Sequence, residues 1–252
     1  MHDLMRDRFA VLEDILKAGC GRGSVYFVPN RGNWGDALIR HSTLQFFRDI
    51  HLNVQELKPT SWRLRFPGGG TVIYGGGGGW CRLWDHSARM VAALASRVNV
   101  IVLPSTYEIR YDIPRTTFFC RDRFESSRNM PGASFCHDMA FYAGKEDGPC
   151  KGSGTGYFFR RDRESTGKIS IPAGNRDLSA QGDHVSDIAP FRDEINKFAC
   201  IHTDRLHVAI TACLLGKEVH FYPGAYFKNR AVYLSSMRGY FDNVRFHAEG
   251  EA

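Results

Sequence analysis

Asp, Arg and His stand together in Thr203-Asp204-Arg205-Leu206-His207, where an apolar strand turns into a helix rich in small residues. The spacing puts Arg205 and His207 in the first helical turn, beside unpaired N–H groups and the positive end of the helix dipole. That environment disfavours a charged imidazole, so His207 is poised to accept a proton, while Arg205 suits an anion. The competing reading is a helix capped by Thr203 or Asp204, with a core histidine.

Further sets of the same kind follow other strands. Asn30-Arg31-Gly32-Asn33-Trp34-Gly35-Asp36 has two glycines for a tight turn, amides that can form an anion nest, and Asp36 placed to cap a helix beginning at Ala37. Capping does not require Asn33 or Trp34. Five glycines, 75–79, end another strand, an entropic cost that close approach of a ligand or a helix would explain. Arg121-Asp122, with Ser126 further on, suits a phosphate or carboxylate at a helix start; taken alone it reads as a surface pair worth little. Lys228-Asn229 suits a phosphate or sugar hydroxyls. Together these sets suggest an anionic ligand. No D-x-D metal motif occurs, and Arg160-Arg161-Asp162-Arg163 adds positive charge rather than a metal site.

Alternating strands and helices must hold these residues. Strands are predicted at 24–28, 71–74, 98–103 and 116–120, with helices at 37–50, 87–96 and 122–130. The strands are apolar without alternation, which argues for a parallel sheet covered on both faces. Residues 143–156 lack apolar periodicity and read as a linker. Beyond it come strands at 157–159, 199–202 and 218–222, a short strand at 168–171, helices at 188–198 and 206–215, and a C-terminal helix and tail over 226–247. The expected organisation is an α/β chain of two parallel-sheet halves, 1–145 and 146–252, facing a cleft. Ligands of open α/β sheets bind beyond the carboxyl ends of the strands, where the candidate residues fall.

Composition narrows the function classes. Hydrophobic residues make up 43% and charged residues 24%, values of a folded rather than a disordered chain. The N-terminal segment carries charges throughout and reads as an amphipathic helix with Leu4, Phe9, Leu12, Ile15 and Leu16 near one face, not as a signal peptide. No transmembrane helix is expected. Seven cysteines without C-x-x-C spacing read as reduced thiols and argue against zinc. The net charge of +6 favours anionic partners, but a nucleic-acid reading has no recognised motif to support it.

The ordered set resembles the polysaccharide pyruvyltransferase family over about residues 24 to 235. It comprises Gly32-Asn33-Trp34-Gly35-Asp36, the strand and glycine run at 72–79, Arg121-Asp122 with Ser126, Asp138-Met139-Ala140, Asp204-Arg205-Leu206-His207 and Lys228-Asn229. The resemblance implies transfer of a pyruvyl group from phosphoenolpyruvate to a sugar as a ketal. It implies a GT-B-like fold of two Rossmann-like halves, with phosphoenolpyruvate as donor substrate and no cofactor or metal. By it, Arg121 and Arg205 match the arginines that hold the donor, and His207 the catalytic histidine. Asn33, Gly35, Asp36 and Gly76, Gly77, Gly78 carry over as substrate-binding positions, as do Asp138, Leu206, Lys228 and Asn229. Asp36 or Asp138 is a candidate second carboxylate.

Two departures, a short second half and Leu103-Pro104-Ser105-Thr106 in place of a glycine-rich segment, bear on acceptor contacts. The acceptor is a saccharide, with a lipid-linked form an alternative. A basic surface favours anionic leaflets, so peripheral association at the inner membrane face goes with a cytoplasmic location. The rivals are a metal-independent glycosyltransferase using a nucleotide sugar and a non-catalytic component of an envelope assembly. Against the first, no acidic ribose partner is evident near Lys228.

Overall fold

The computed structural model describes residues 3–21, 23–58, 70–144 and 152–248. Two sheets organise them. The first contains β1 (Val25–Val28), β2 (Gln55–Glu56), β3 (Thr71–Tyr74), β4 (Gly77–Trp80), β5 (Asn99–Tyr107), β6 (Thr116–Cys120) and β7 (Ser134–Phe135). Its order is β2-β1-β3-β5-β6-β7, with β4 also pairing β5. The second contains β8 (Thr155–Phe158), β9 (Cys200–Thr203), β10 (Glu218–Phe221) and β11 (Val244–Phe246), in the order β11-β10-β9-β8. Every pairing is parallel, as the apolar strands predict.

The helices are α1 (Asp3–Cys20), α2 (Trp34–Asp49), α3 (His86–Ala95), α4 (Glu125–Asn129), α5 (Ala189–Asn196), α6 (Leu206–Leu214) and α7 (Lys228–Ser236). Helix α1 buries Met5, Phe9, Leu12, Leu16 and Cys20, a stripe three to four residues apart that faces the core. In the first sheet, successive side chains point to opposite faces, and both faces are filled. Phe27, Ile73 and Ile101 join Phe9 of α1 and Phe46 of α2. Their neighbours Val28, Val72 and Val100 join Val91 and Leu94 of α3. The second sheet is filled on one side only: Phe158, Ile201, Val219 and Phe221 join α5 and α6, while Tyr157, His202 and His220 stay partly exposed.

Several expectations are corrected. No strand forms at 168–171. The expected C-terminal helix forms as α7, but the tail after it adds a strand, β11, paired parallel to β10. The glycine run also contributes an unexpected strand: Gly75 and Gly76 separate β3 from β4, and both strands lie on β5. The centre of the expected linker, 145–151, lies outside the described residues. Trp34 joins the two sheet systems. Its ring packs 5.6 Å from that of Phe191, and its indole N–H donates to the Asp187 carbonyl at 2.7 Å. A side chain at Gly182 would collide with that ring, its Cβ 2.6 Å from Trp34 Cδ2. No described helix is long and apolar enough to cross a membrane.

Candidate functional site

Two helix starts face each other. Helix α2 begins at Trp34, not Ala37, and Asn33 is its cap: Asn33 Oδ1 accepts from the Gly35 N–H at 2.8 Å. Asp36 closes a capping box, its Oδ2 accepting from the Asn33 N–H at 2.9 Å. Gly32 is required by this fold-back, since a Cβ there would lie 1.9 Å from Asp36 Oδ2. Gly35 supports the ring of His207 from the first turn of α6; a Cβ at 35 would lie 2.3 Å from Nδ1. Neither Thr203 nor Asp204 caps α6. Thr203 Oγ1 takes the Arg205 N–H, while Asp204 Oδ1 accepts from the Arg160 N–H.

Below them, three distant segments meet. Arg121 leaves the end of β6 with its side chain 1% exposed. Its Nε donates to Thr106 Oγ1 at 2.8 Å and its Nη1 to Asp138 Oδ2 at 2.5 Å. Asp138 also accepts the Ala140 N–H at the start of a short 3-10 helix, Met139–Ala143. The same Oδ2 is 3.5 Å from His207 Nε2. Burial pushes the Asp138 carboxyl up, but Arg121, His207 and the Ala140 N–H outweigh it and hold the group well below the usual range. Asp36 goes the other way: burial raises it, only partly offset by His207, the Asn33 N–H, Arg121 and Lys228. The other members of the Arg121 motif are structural. Asp122 accepts from the Phe124 and Ser126 N–H groups, and Ser126 Oγ accepts the Tyr107 N–H.

A third cluster closes the opposite wall. Lys228 begins α7 and is paired with Glu164, which also accepts from Arg160 Nη1 at 2.5 Å and, across the cleft, from Trp84 Nε1 at 3.1 Å. Burial lowers Lys228, with Glu164 opposing that shift; burial would raise Glu164, but Lys228 and Arg160 hold it far below its usual value. Arg205 is clamped by Asp177, through Nε and Nη2 at 2.9 and 2.6 Å, and its Nη1 lies 2.8 Å from Asp162. The enclosed cleft measures about 550 Å3 and is lined from both sheet systems by Asn33, Asp36, Gly78, Arg121, Arg205, Leu206, His207 and Lys228, among others. That is the size of a small-ligand site.

A model of the polysaccharide pyruvyl transferase family matches residues 33–223, most of the chain. The chain belongs to the polysaccharide pyruvyl transferase family. Among solved structures, a functionally uncharacterised protein from Klebsiella pneumoniae subsp. pneumoniae NTUH-K2044 is similar, at 25% identity and a TM-score of 0.79 over 96% of this chain and 99% of that one. No curated protein matches the sequence.

Within this pyruvyl transferase family member the sequence-predicted residues divide. Asn33, Asp36, Arg121, Arg205, Leu206, His207 and Lys228 line the cleft, while Asp138 is fully buried behind Arg121 and His207. Of the three central glycines, Gly78 faces it: a Cβ there would sit 3.5 Å from Arg121 Nη2 and 3.8 Å from Lys228 Nζ and from Tyr226 Oη. Gly76 instead lies against the Pro104 carbonyl, where a Cβ would come to 2.3 Å. Gly77 takes φ 129° beside Asn30 and Asp36, a conformation that suits glycine. Asn229 is a buried tie, donating to the Asp204 and Tyr222 carbonyls. The sequence reading missed Glu164 and its partner Arg160. An acid does stand on Lys228, contrary to expectation, and its 64-residue separation left no local signal. Tyr226 was also missed; its hydroxyl is buried without a hydrogen-bond partner, as is His86 Nε2 in the cleft lining.

Proposed function

We propose that the protein transfers the pyruvyl group of phosphoenolpyruvate to a sugar, forming a pyruvate ketal, in a GT-B-like arrangement of two Rossmann-like halves. The observation that carries this reading is the meeting of Arg121, Asp138 and His207 beside the space that Gly78 leaves open. A compact dianion fits there, with Arg121 Nη2 and Lys228 Nζ on one side and the α2 helix start on the other. Asp177 holds Arg205 through Nε and Nη2, and its Nη1, ion-paired with Asp162 but without a hydrogen bond, is the nitrogen nearest to being available to a ligand.

The chemistry needs a proton on the methylene carbon of the donor, which makes C2 electrophilic. One sugar hydroxyl then adds to C2, and the C2–O bond to phosphate breaks. The second hydroxyl adds to the same carbon. Both hydroxyl protons leave, and inorganic phosphate departs. The two carboxylates suit different roles because their environments push them apart. Asp138, held ionised, orients His207 and balances Arg121. Asp36, whose carboxyl burial raises, is the second carboxylate near the imidazole. His207 relays protons between donor carbon and acceptor hydroxyl, while Arg121 and Lys228 stabilise the departing phosphate. The acceptor belongs to a cell-surface glycan or its lipid-linked precursor, handled in the cytoplasm or at the inner membrane face.

A glycosyltransferase reading is disfavoured at Glu164. Oε2 accepts from Arg160 and Lys228 and Oε1 from Trp84, so a ribose hydroxyl would have to share Oε1 with the Trp84 indole. The test is mass spectrometry of protein incubated with phosphoenolpyruvate and lipid-linked oligosaccharides. The expected product is acceptor plus pyruvate minus water, with phosphate released. Thermal stabilisation by nucleotide sugars and none by phosphoenolpyruvate would replace this reading with the rival.

A further inference from the structure

The uncovered face of the second sheet carries side chains that the cleft does not use. Along β9, Cys200 and His202 lie on that face, while Ile201 and Thr203 turn to the core. Along β10, Glu218 and His220 do the same, while Val219 and Phe221 are buried. The parallel register sets Cys200 beside Glu218 and His202 beside His220. Four potential ligands therefore stand at the corners of one square, across strands about 4.8 Å apart.

Their geometry is that of a donor set. Cys200 Sγ and one ring nitrogen each of His202 and His220 all lie within 4.8 Å of one another. The two rings stack with centroids 4.3 Å apart. Both imidazoles have Nδ1 engaged, His202 with the Tyr222 hydroxyl at 3.0 Å and His220 with His247 Nε2 at 2.8 Å. Such partners hold the rings through Nδ1 and leave the other nitrogen as the ligand atom. His220 Nε2 already lies 3.2 Å from a Glu218 oxygen.

We propose that Cys200, His202 and His220, with Glu218 as the fourth ligand, bind one borderline-soft divalent transition-metal ion, zinc being the ion that suits a thiolate–imidazole set. Ligands around a tetrahedral zinc lie roughly 3.5 Å apart with their lone pairs converging, so the two rings, now 5° from parallel, turn out of their stack on binding. Binding displaces the Cys200 proton, so affinity rises with pH. The ion clips β9 to β10 from the side that no described helix covers. Strand β9 leads directly to Arg205 and His207, and β10 leads to Lys228, so the clip steadies the two connections that feed the cleft. Cysteine spacing conceals the site, because its ligands are register partners on two strands rather than a C-x-x-C pair.

Untagged protein, freed of metal by a chelator, would be titrated with Zn2+ by calorimetry and with Co2+ by absorption spectroscopy. The expected result is one equivalent of zinc and a thiolate-to-cobalt charge-transfer band in the wild type. Cys200→Ser should abolish the band. Tyr222→Phe, which keeps every ligand, should weaken zinc binding about 10–100-fold. A folded wild type that gives no thiolate–cobalt band overturns the proposal without recourse to any variant. So does a zinc stoichiometry unchanged in the triple variant Cys200→Ser, His202→Ala, His220→Ala.

Discussion

The two sheets of this protein solve the same topological problem with different coverings. In the first, neighbouring residues such as Val72 and Ile73 sort into separate apolar clusters on opposite faces. In the second, Ile201 and Val219 enter the core, whereas their neighbours His202 and His220 remain at the surface. Parallel strands buried on both faces read as continuous apolar runs; alternation in a parallel strand marks a face without a helix. The first sheet is thus a platform whose chemistry sits only at its strand ends. The second has strand-end chemistry in Arg205 and His207 and a polar row along the strands themselves.

The largest effect that could break this division is on catalysis. If strand ends alone do the transfer, His207→Ala should lower the rate roughly a hundred- to ten-thousand-fold while phosphoenolpyruvate still raises the melting temperature. His202→Ala, on the outer face, should leave the rate within about twofold of wild type, because β9 keeps its core contacts. Undiminished transfer by the His207 variant in a direct assay would remove that residue from the chemical step. Stability should divide the other way. Ile73→Ala empties a fully buried site of the first sheet and should cost about 2–5 kcal/mol. In metal-free protein, His202→Ala should cost about 1 kcal/mol or less. Denaturant titration of the two variants side by side measures the contrast.

A subtler variant tests how the halves are fitted together. Gly35→Ala places a methyl group where His207 Nδ1 now stands, so the ring must move while α2 gains a better helix former. Transfer should fall on the order of a hundredfold, since small misplacements of a reacting group have such effects, with circular dichroism unchanged. Activity equal to wild type would mean that the imidazole has room to shift without leaving the reaction path.

Much of this arrangement was legible because the first-sheet strands are apolar runs that end in glycine or charge. Asn33, Arg121 and His207 each follow a strand, so their convergence could be expected from the geometry of parallel sheets. What stayed hidden depends on contacts between distant segments. Asp36 resembles a helix cap in sequence; that it is the third residue of the helix is set by Asn33 taking the cap. Nothing local marks Asp177 as the partner of Arg205, 28 residues away, or Glu164 as the partner of Lys228. The second sheet's outer row was hidden for a related reason. Cys200 and Glu218 belong together only through register, which no single strand records.

A pH-dependent effect lies where β9 ends, at the junction of the two kinds of chemistry. Burial raises the Asp204 carboxyl to about 6, although the Arg160 N–H and the charges of Arg160 and Arg205 pull it down. The unfolded chain ionises near the ordinary carboxylate value, about 4. A folded-state value above the unfolded one means stability that is full below about pH 4 and is lost as pH rises through 6. At neutral pH the ionised carboxylate is therefore a strain on the turn, on the order of 2 kcal/mol. Asp204→Asn keeps an oxygen to accept the Arg160 N–H and cannot ionise. It should raise the melting temperature at pH 7.5, and the gain should shrink to nothing by pH 4. If the gain persisted at pH 4, packing or hydrogen bonding at the turn, rather than the buried charge, would account for it. Loss of stability at pH 7.5 would mean that the pairing of Asp204 with Arg160 and Arg205 outweighs its burial, as it does for Asp138 in the first half.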